Sequence, residues 1–125
     1  MEDLDRAVAL LGPLEGRIMR AVWTGAVAEP FVVRDVLTLM PELAYTTVMT
    51  TVRRLADKGL LAADAGRRAH EYHAVGDPRS FLAQASDREA AQFVSRYGEA
   101  GLAAFAARLS ELTPEERRRL EDLIR

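Results

Sequence analysis

Residues 44–72, AYTTVMTTVRRLADKGLLAADAGRRAHEY, carry the clearest structural pattern in this chain. The first half predicts a short helix, rich in threonine and basic towards its end, and the second half predicts two strands joined by a Gly-Arg-Arg turn. A helix followed by a hairpin with a basic tip is the arrangement with which a winged helix-turn-helix contacts DNA. We therefore expect a sequence-specific DNA-binding protein and not an enzyme.

The flanking segments complete this order of elements. Gly12-Pro13 predicts a helix start, because proline is pre-set for the first helical position. Gly59 predicts a left-handed end for the threonine-rich helix. Residues 4–11 are predicted as a further turn or an arm. The predicted elements are helices over 13–24, 33–40 and 44–58 and strands over 60–64 and 69–75.

Everything after Val75 is predicted to be helical. Asp77-Pro78 starts a helix that continues to about Tyr97, Gly98 and Gly101 interrupt it, and Thr113-Pro114-Glu115-Glu116 is a capping box that opens the last helix. Short amphipathic helices of this kind rarely form a stable core alone, so they should pack on the first domain or on a second copy.

The predicted fold class is therefore mainly α with a small antiparallel β-hairpin wing. Residues 1–75 are expected to form a winged helix-turn-helix domain, and residues 76–125 a helical region.

The composition excludes several classes of protein. With 125 residues and 49% apolar content the chain can bury a core, so disorder is not expected. It contains no apolar run of membrane-spanning length, and its acidic start, MEDLD, lacks the basic residues of a secretory signal, so a cytoplasmic location is expected. The absence of cysteine excludes disulfides, thiolate metal sites and thiol redox sensing.

Charge supports DNA binding only locally. The formal net charge is -2, unlike that of a general nucleic-acid coater. Within residues 44–72, however, five cations stand against three carboxylates, a local excess of two positive charges. On charge alone, a solvated protein surface explains this stretch equally well.

The candidate DNA-binding residues lie on the predicted third helix and on the wing. Threonine hydroxyls and methyls can contact base edges, and arginine can bond guanine or grip phosphate. The cluster of Thr46, Thr47, Thr50 and Thr51 precedes Arg53-Arg54. Surface threonines are often only a tolerated polar face, but their place in this order of elements favours DNA contact. The predicted site comprises Thr46, Thr47, Thr50, Arg53 and Arg54 on the helix and Arg67 and Arg68 on the wing.

No metal, cofactor or catalytic site is predicted. His70 and His73 are three apart on a strand, so they point to opposite faces and have no third ligand at suitable spacing. Tyr72 is expected to pack under the wing. The chain has no nucleophile motif, phosphate loop or clustered carboxylate pair. The charges of residues 115–125 are spaced to pair along one helix.

Two segments, LGPLEGRIMRAVW (residues 11–23) and AYTTVMTTVRRLADKGLL (residues 44–61), resemble the penicillinase-repressor family of bacterial transcription regulators, the BlaI/MecI/CopY type. The wing GRRAHEY and the tail LSELTPEERRRLEDLI extend the resemblance over essentially the whole chain. The resemblance implies a homodimeric repressor that binds an inverted-repeat operator in double-stranded DNA through the third helix and the wing. It also implies a C-terminal dimerisation region, for which the candidates are Phe81, Leu82, Phe93, Val94, Leu102, Phe105, Leu109, Leu120, Leu123 and Ile124.

The chain departs from the family in how it could be released from DNA. Well-known members are inactivated when a membrane metalloprotease sensor signals a cut at an Asn-Phe bond, but this sequence contains no asparagine. Copper-responsive members use a cysteine metal site, which this chain also lacks. The inducing signal stays open: cleavage near Phe93 or Phe105, or binding of a ligand or protein.

Two alternatives remain at this level. A small-molecule sensor would hold an effector between the winged domain and the C-terminal helices, lined by Phe81, Phe93, Tyr97 and Phe105. A protein-protein adaptor would keep the winged fold without touching DNA, as the acidic net charge permits.

Overall fold

The computed structural model describes residues 2–64 and 70–125. Helices dominate this part of the chain, and a single antiparallel hairpin follows the fourth helix, which confirms the predicted fold class. In chain order the elements are α1 (Asp3–Ala9), α2 (Pro13–Trp23), α3 (Val33–Leu39), α4 (Tyr45–Asp57), β1 (Leu61–Asp64), β2 (Glu71–Ala74), α5 (Pro78–Tyr97), α6 (Glu99–Ser110) and α7 (Pro114–Leu123).

Apolar residues at helical spacing build the core of the first unit, which extends to Gln84. Ile18 and Met19 of α2 and Val36 of α3 are fully buried. The buried apolar residues of α4 are Val48, Val52 and Leu55. Threonine and valine are mediocre helix formers, so this packing, more than intrinsic propensity, keeps α4 helical.

The hairpin is joined to α4 by a tight turn and hydrogen-bonded to the loop before α3. Gly59 has φ +82°, a left-handed conformation that favours glycine, and it turns the chain from α4 into β1. Leu61 pairs with Ala74 and Asp64 with Glu71 across the hairpin. Phe31, in the loop before α3, exchanges two backbone hydrogen bonds with Tyr72, at 2.9 and 2.7 Å. The loop and the wing therefore hold each other in place.

The second unit runs from Ala85 to Arg125. Gly98, with φ +61°, ends α5, as predicted. The predicted interruption at Gly101 is wrong, because this residue lies inside α6. A Cβ there would lie 3.2 Å from a ring carbon of Phe93, so glycine permits close packing without breaking the helix.

The predicted caps are confirmed. The Thr113 hydroxyl accepts a hydrogen bond from the Glu116 N–H at 3.1 Å, and the Glu116 carboxylate accepts one from the Thr113 N–H at 3.0 Å. At the start of α5, the Asp77 carboxylate accepts from the Ser80 N–H at 2.9 Å. Each bond satisfies a backbone donor that an uncapped helix start would leave without a partner.

The two units meet inside α5. The first unit includes the start of this helix because Phe81 packs on Trp23, with ring centroids 6.0 Å apart, and the Trp23 indole N–H donates to the Gly76 carbonyl at 3.2 Å. The assignment of residues 1–75 to DNA binding and of residues 76–125 to dimerisation stays a prediction. Residues 4–11, left open above, form most of α1 and the turn after it. No helix among the described residues is long and apolar enough to span a membrane.

Candidate nucleic-acid interface

The outward face of α4 brings together five of the predicted DNA-binding residues. With 3.6 residues per turn, the positions opposite Val48, Val52 and Leu55 must face away from the core. All five of these positions are exposed: Thr46, Thr47, Thr50, Arg53 and Arg54.

Thr51 does not belong to this face. Only 5% of its surface is exposed, and its hydroxyl donates to the Thr47 carbonyl at 2.8 Å. The prediction that four threonines form one cluster is therefore wrong for Thr51, which lies at the edge of the core and satisfies its hydroxyl within the helix.

Arg53 and Arg54 have no carboxylate partner within residues 2–64 and 70–125. Two other arginines of the first unit do pair with carboxylates: Arg17 with Glu42, and Arg20 with Asp5 at 2.9 Å. Unpaired guanidinium groups beside exposed hydroxyls form a surface that suits an anionic, hydrogen-bonding partner.

A polar groove of about 570 Å³ runs along one side of α4. The first turn of α2 forms its other wall, so backbone N–H groups at that helix start lie beside the threonine face. The groove is lined by Gly12, Pro13, Leu14, Glu15, Thr46, Thr47, Thr50, Thr51, Arg54 and Lys58.

A second groove, of about 470 Å³, lies on the other side of α4, towards the wing. Its lining carries two arginines and no carboxylate, and its floor is mostly apolar. We call it the wing-side groove; it is lined by Val32, Val33, Arg34, Tyr45, Met49, Arg53, Ala56, Ala63, His70 and Tyr72. Arg53 and Arg54, neighbours on the outward face, therefore line different grooves.

The wing is described only in part. The predicted contacts Arg67 and Arg68 lie outside the described residues. Tyr72 is buried and packs on Phe31, with ring centroids 5.8 Å apart, as expected for a residue under the wing. His73 lies 3.1 Å from the Asp64 carboxylate. The described part of the chain contains no group of three His, Cys, Asp or Glu residues that could hold a metal ion.

Sequence reasoning missed three residues that line these grooves. Glu15 is the one strongly buried carboxylate within the described ranges, with 9% of its surface exposed. The burial of Glu15 could have been predicted, because residue 15 lies on the same helix face as the inward residues Ile18, Met19 and Val22. Tyr45 is half-exposed at the start of α4, and Arg34 is exposed at the start of α3.

The start of α4 has no side-chain cap. Ala44 occupies the cap position and offers no acceptor to the first free N–H groups of the helix. This leaves backbone donors at the amino end of α4, next to the exposed Thr46 and Thr47.

The predicted dimer residues fall into three groups. Phe81, with the half-buried Leu82 beside it, belongs to the first unit. In the second unit Phe93 packs on Phe105 at 5.0 Å and on Tyr97 at 4.9 Å, while Val94 and Leu120 are half-buried. The remaining candidates leave large apolar surfaces exposed; they are Leu102, Phe105, Leu109, Leu123 and Ile124.

Comparison with known proteins agrees with this architecture. Residues 11–125 match the model of the penicillinase repressor family. The transcriptional regulator BlaI of Mycobacterium tuberculosis strain CDC 1551 / Oshkosh is 40% identical in an alignment 118 residues long, and the match covers 82% of this chain and 84% of that protein. The regulator of the same name from strain ATCC 25618 / H37Rv matches to the same extent. The chain therefore belongs to the penicillinase-repressor family of transcriptional regulators.

Proposed function

We propose that this transcriptional repressor acts as a homodimer that reads an inverted-repeat operator with α4 of each subunit in the major groove. The observation that carries the proposal is the outward face of α4, where three exposed threonines stand beside two arginines that have no carboxylate partner among the described residues. The opposite face of the same helix is fully buried, so the reading side chains project from a rigid support.

The chemistry of this face suits DNA. Thr46, Thr47 and Thr50 can exchange hydrogen bonds with base edges or place a methyl group against thymine. Arg53 and Arg54 line different grooves, so each can bond a guanine or the nearer phosphate backbone. Arg67 and Arg68, which stand between the two strands in the sequence, are proposed to add contacts to the flanking backbone or minor groove.

Dimerisation is proposed to occur through the helical C-terminal region. Six large hydrophobic side chains of the second unit, Tyr97 among them, are at least 44% exposed, a surface that a second copy would remove from water. A two-fold protein requires a two-fold site, so the operator half-sites should lie about one helical turn, or a multiple of it, apart.

The release signal is proposed to differ from cleavage at an Asn-Phe bond, which this chain cannot offer. The bonds before Phe93 and Phe105 lie inside α5 and α6, so a protease would have to wait for local unwinding. A membrane metalloprotease sensor is therefore a proposed partner only if α5 or α6 unwinds locally and exposes one of these bonds to cleavage. The other proposed route is binding of a ligand or protein.

Binding to labelled duplexes tests the sequence-reading part of this proposal. A duplex selected by the protein from a randomised library serves as the operator, and a random duplex of equal length serves as the reference, both titrated at several salt concentrations. Arg53→Ala and Arg54→Ala should each cost about 1–3 kcal/mol on the operator. Preference for the operator should fall where the lost contact is to a base, and both affinities should fall equally where it is to phosphate.

Arg88→Ala is the matched control, because it removes one exposed guanidinium from α5 and leaves α4 unchanged. It should leave operator preference as it is. Equal affinity of the unmodified protein for the two duplexes would reject sequence-specific reading.

The two alternatives make different predictions. Ligand sensing through Phe81, Phe93, Tyr97 and Phe105 would appear as thermal stabilisation by a metabolite, since a ligand of the native state must raise apparent stability. An adaptor would form no complex with any duplex. The exposed arginines of α4, which pair with no carboxylate in the described part of the chain, favour the repressor over both.

A further inference from the structure

The Glu15 carboxylate binds the Lys58 ammonium through both of its oxygens, at 2.8 and 2.9 Å. Glu15 lies in the first turn of α2, and Lys58 caps the carboxyl end of α4. Both line the polar groove beside the exposed threonines. The pair therefore joins α2 to the far end of the proposed reading helix.

The position of Lys58 on α4 would otherwise suit a phosphate contact. Thr47, Arg54 and Lys58 follow one another along the same side of the helix, at spacings of seven and four residues. The Lys58 side chain is 54% exposed, so the ammonium is not held by burial. A long, flexible lysine at this position can reach the backbone of any DNA sequence, because phosphate carries no sequence information.

Glu15 is an unusual residue to find in such a groove. A carboxylate repels phosphate, and burying it costs free energy unless a cation and hydrogen bonds compensate. Its side chain is only 12% exposed, and Lys58 is its one ion-pair partner in the described part of the chain. Arg54, in the same groove, has no carboxylate partner within the described ranges.

We propose that Glu15 is a specificity-determining residue that withholds the Lys58 ammonium from the DNA backbone. Taking one cation out of non-specific binding lowers affinity for arbitrary sequences while leaving the threonine and arginine contacts to the operator in place. This proposal rests on the proposed function, since it assumes that α4 meets DNA.

Glu15→Gln and Lys58→Gln separate this role from a purely structural one. Glu15→Gln frees the ammonium, so binding to a random duplex should tighten several-fold at moderate salt. The plot of log affinity against log salt should steepen by about 0.9 for each bound protomer, the value of one added phosphate contact. The ratio of operator to random affinity should fall. Lys58→Gln alone should leave the salt slope on the random duplex unchanged.

Two further variants serve as controls. The double variant Glu15→Gln, Lys58→Gln has the formal charge of the original protein and should restore its salt slope. Asp5→Asn removes one carboxylate from the Asp5–Arg20 pair, which lines neither groove, and so repeats the charge change of Glu15→Gln elsewhere on the first unit. It should not steepen the slope.

Three results would overturn the proposal: an unchanged slope in folded Glu15→Gln, a slope flattened by about 0.9 in Lys58→Gln, or a slope steepened equally in Asp5→Asn. A merely structural pair would weaken binding to both duplexes in both single variants. If Glu15→Gln does not fold, the salt slope of Lys58→Gln alone tests the proposal. This variant should fold, because the Lys58 side chain is half-exposed. A different result would reject the proposed function, namely equal affinity of the unmodified protein for operator and random DNA. The salt slopes measured on random DNA do not depend on that result.

Discussion

The Thr51 hydroxyl donates a hydrogen bond to the Thr47 carbonyl at 2.8 Å, one turn back along α4. The two residues belong to one run of threonines, yet Thr47 is exposed and Thr51 is buried. The boundary between core and outward face therefore passes through the run. Substitutions on the two sides of this boundary should therefore differ in their effect on operator binding.

Thr50→Val and Thr51→Val form a matched pair that tests this boundary. Each replaces a hydroxyl with a methyl group of similar size. Thr50→Val should weaken operator binding by about 1 kcal/mol, the net value of a typical hydrogen bond, and leave stability nearly unchanged. Thr51→Val should leave operator preference unchanged and shift the free energy of unfolding by less than about 1 kcal/mol. Fluorescence anisotropy and urea unfolding measure the two effects, and loss of operator preference in Thr51→Val would contradict the assignment.

Gly59→Ala should destabilise the first unit through its backbone alone. Gly59 has φ +82°, and an added Cβ would meet nothing within 4 Å, so no steric clash contributes. An L-residue in this region costs roughly 1–2 kcal/mol, measurable as a lower midpoint in urea. Gly59→Asn should cost less, because asparagine tolerates the left-handed region better than alanine does. Equal stability of the alanine variant and the original protein would contradict this account of the turn.

Leu109→Glu should dissociate the proposed dimer. Leu109 is 48% exposed on α6, and a charge placed inside an apolar interface would be left without a partner. Sedimentation velocity should show a monomer, and operator affinity should fall because only one half-site can then be held at a time. Leu10→Glu is the control, since Leu10 is 56% exposed in the first unit, outside the proposed interface. A dimer that persists in Leu109→Glu would exclude α6 from the interface.

The capping box of α7 should make this helix sensitive to acid. The Thr113 N–H, which donates to the Glu116 carboxylate, holds the pKa of that carboxyl below its ordinary value. A carboxyl whose pKa is lowered by folding stabilises the fold above its ordinary pKa, and this contribution is lost as pH falls through the lowered value. Helix content followed by circular dichroism should therefore decline in acid.

Glu116→Gln should remove the acid dependence that is due to this residue, since the amide oxygen still accepts the bond and does not titrate. Thr113→Ala should cost about 1 kcal/mol at neutral pH by removing the cap hydroxyl. An unchanged acid profile in Glu116→Gln would assign the acid sensitivity to other carboxyls. Asp77 is one of them, because the N–H of Ser80 likewise lowers its pKa.

Local sequence patterns predicted much of the fold correctly. Proline at residues 13, 78 and 114 and glycine at residues 59 and 98 marked helix starts and ends correctly, because each acts through its own backbone geometry. Gly101 misled for the complementary reason. Glycine in a helical pattern usually indicates a break, but here the Phe93 ring lies where a side chain of residue 101 would be. Glycine is therefore required by a residue in another helix.

The order of helices, the hairpin after α4 and the exposure of Thr46, Thr47, Thr50, Arg53 and Arg54 followed from the amino-acid sequence, because periodicity and turn chemistry act over a few neighbouring residues. The inward turn of Thr51, the different environments of Arg54 and Lys58, and the burial of Glu15 against Lys58 depended on folding. Forty-three positions separate Glu15 from Lys58 along the chain. Only the packing of α2 against α4 brings them together, and no pattern confined to one helix contains that information.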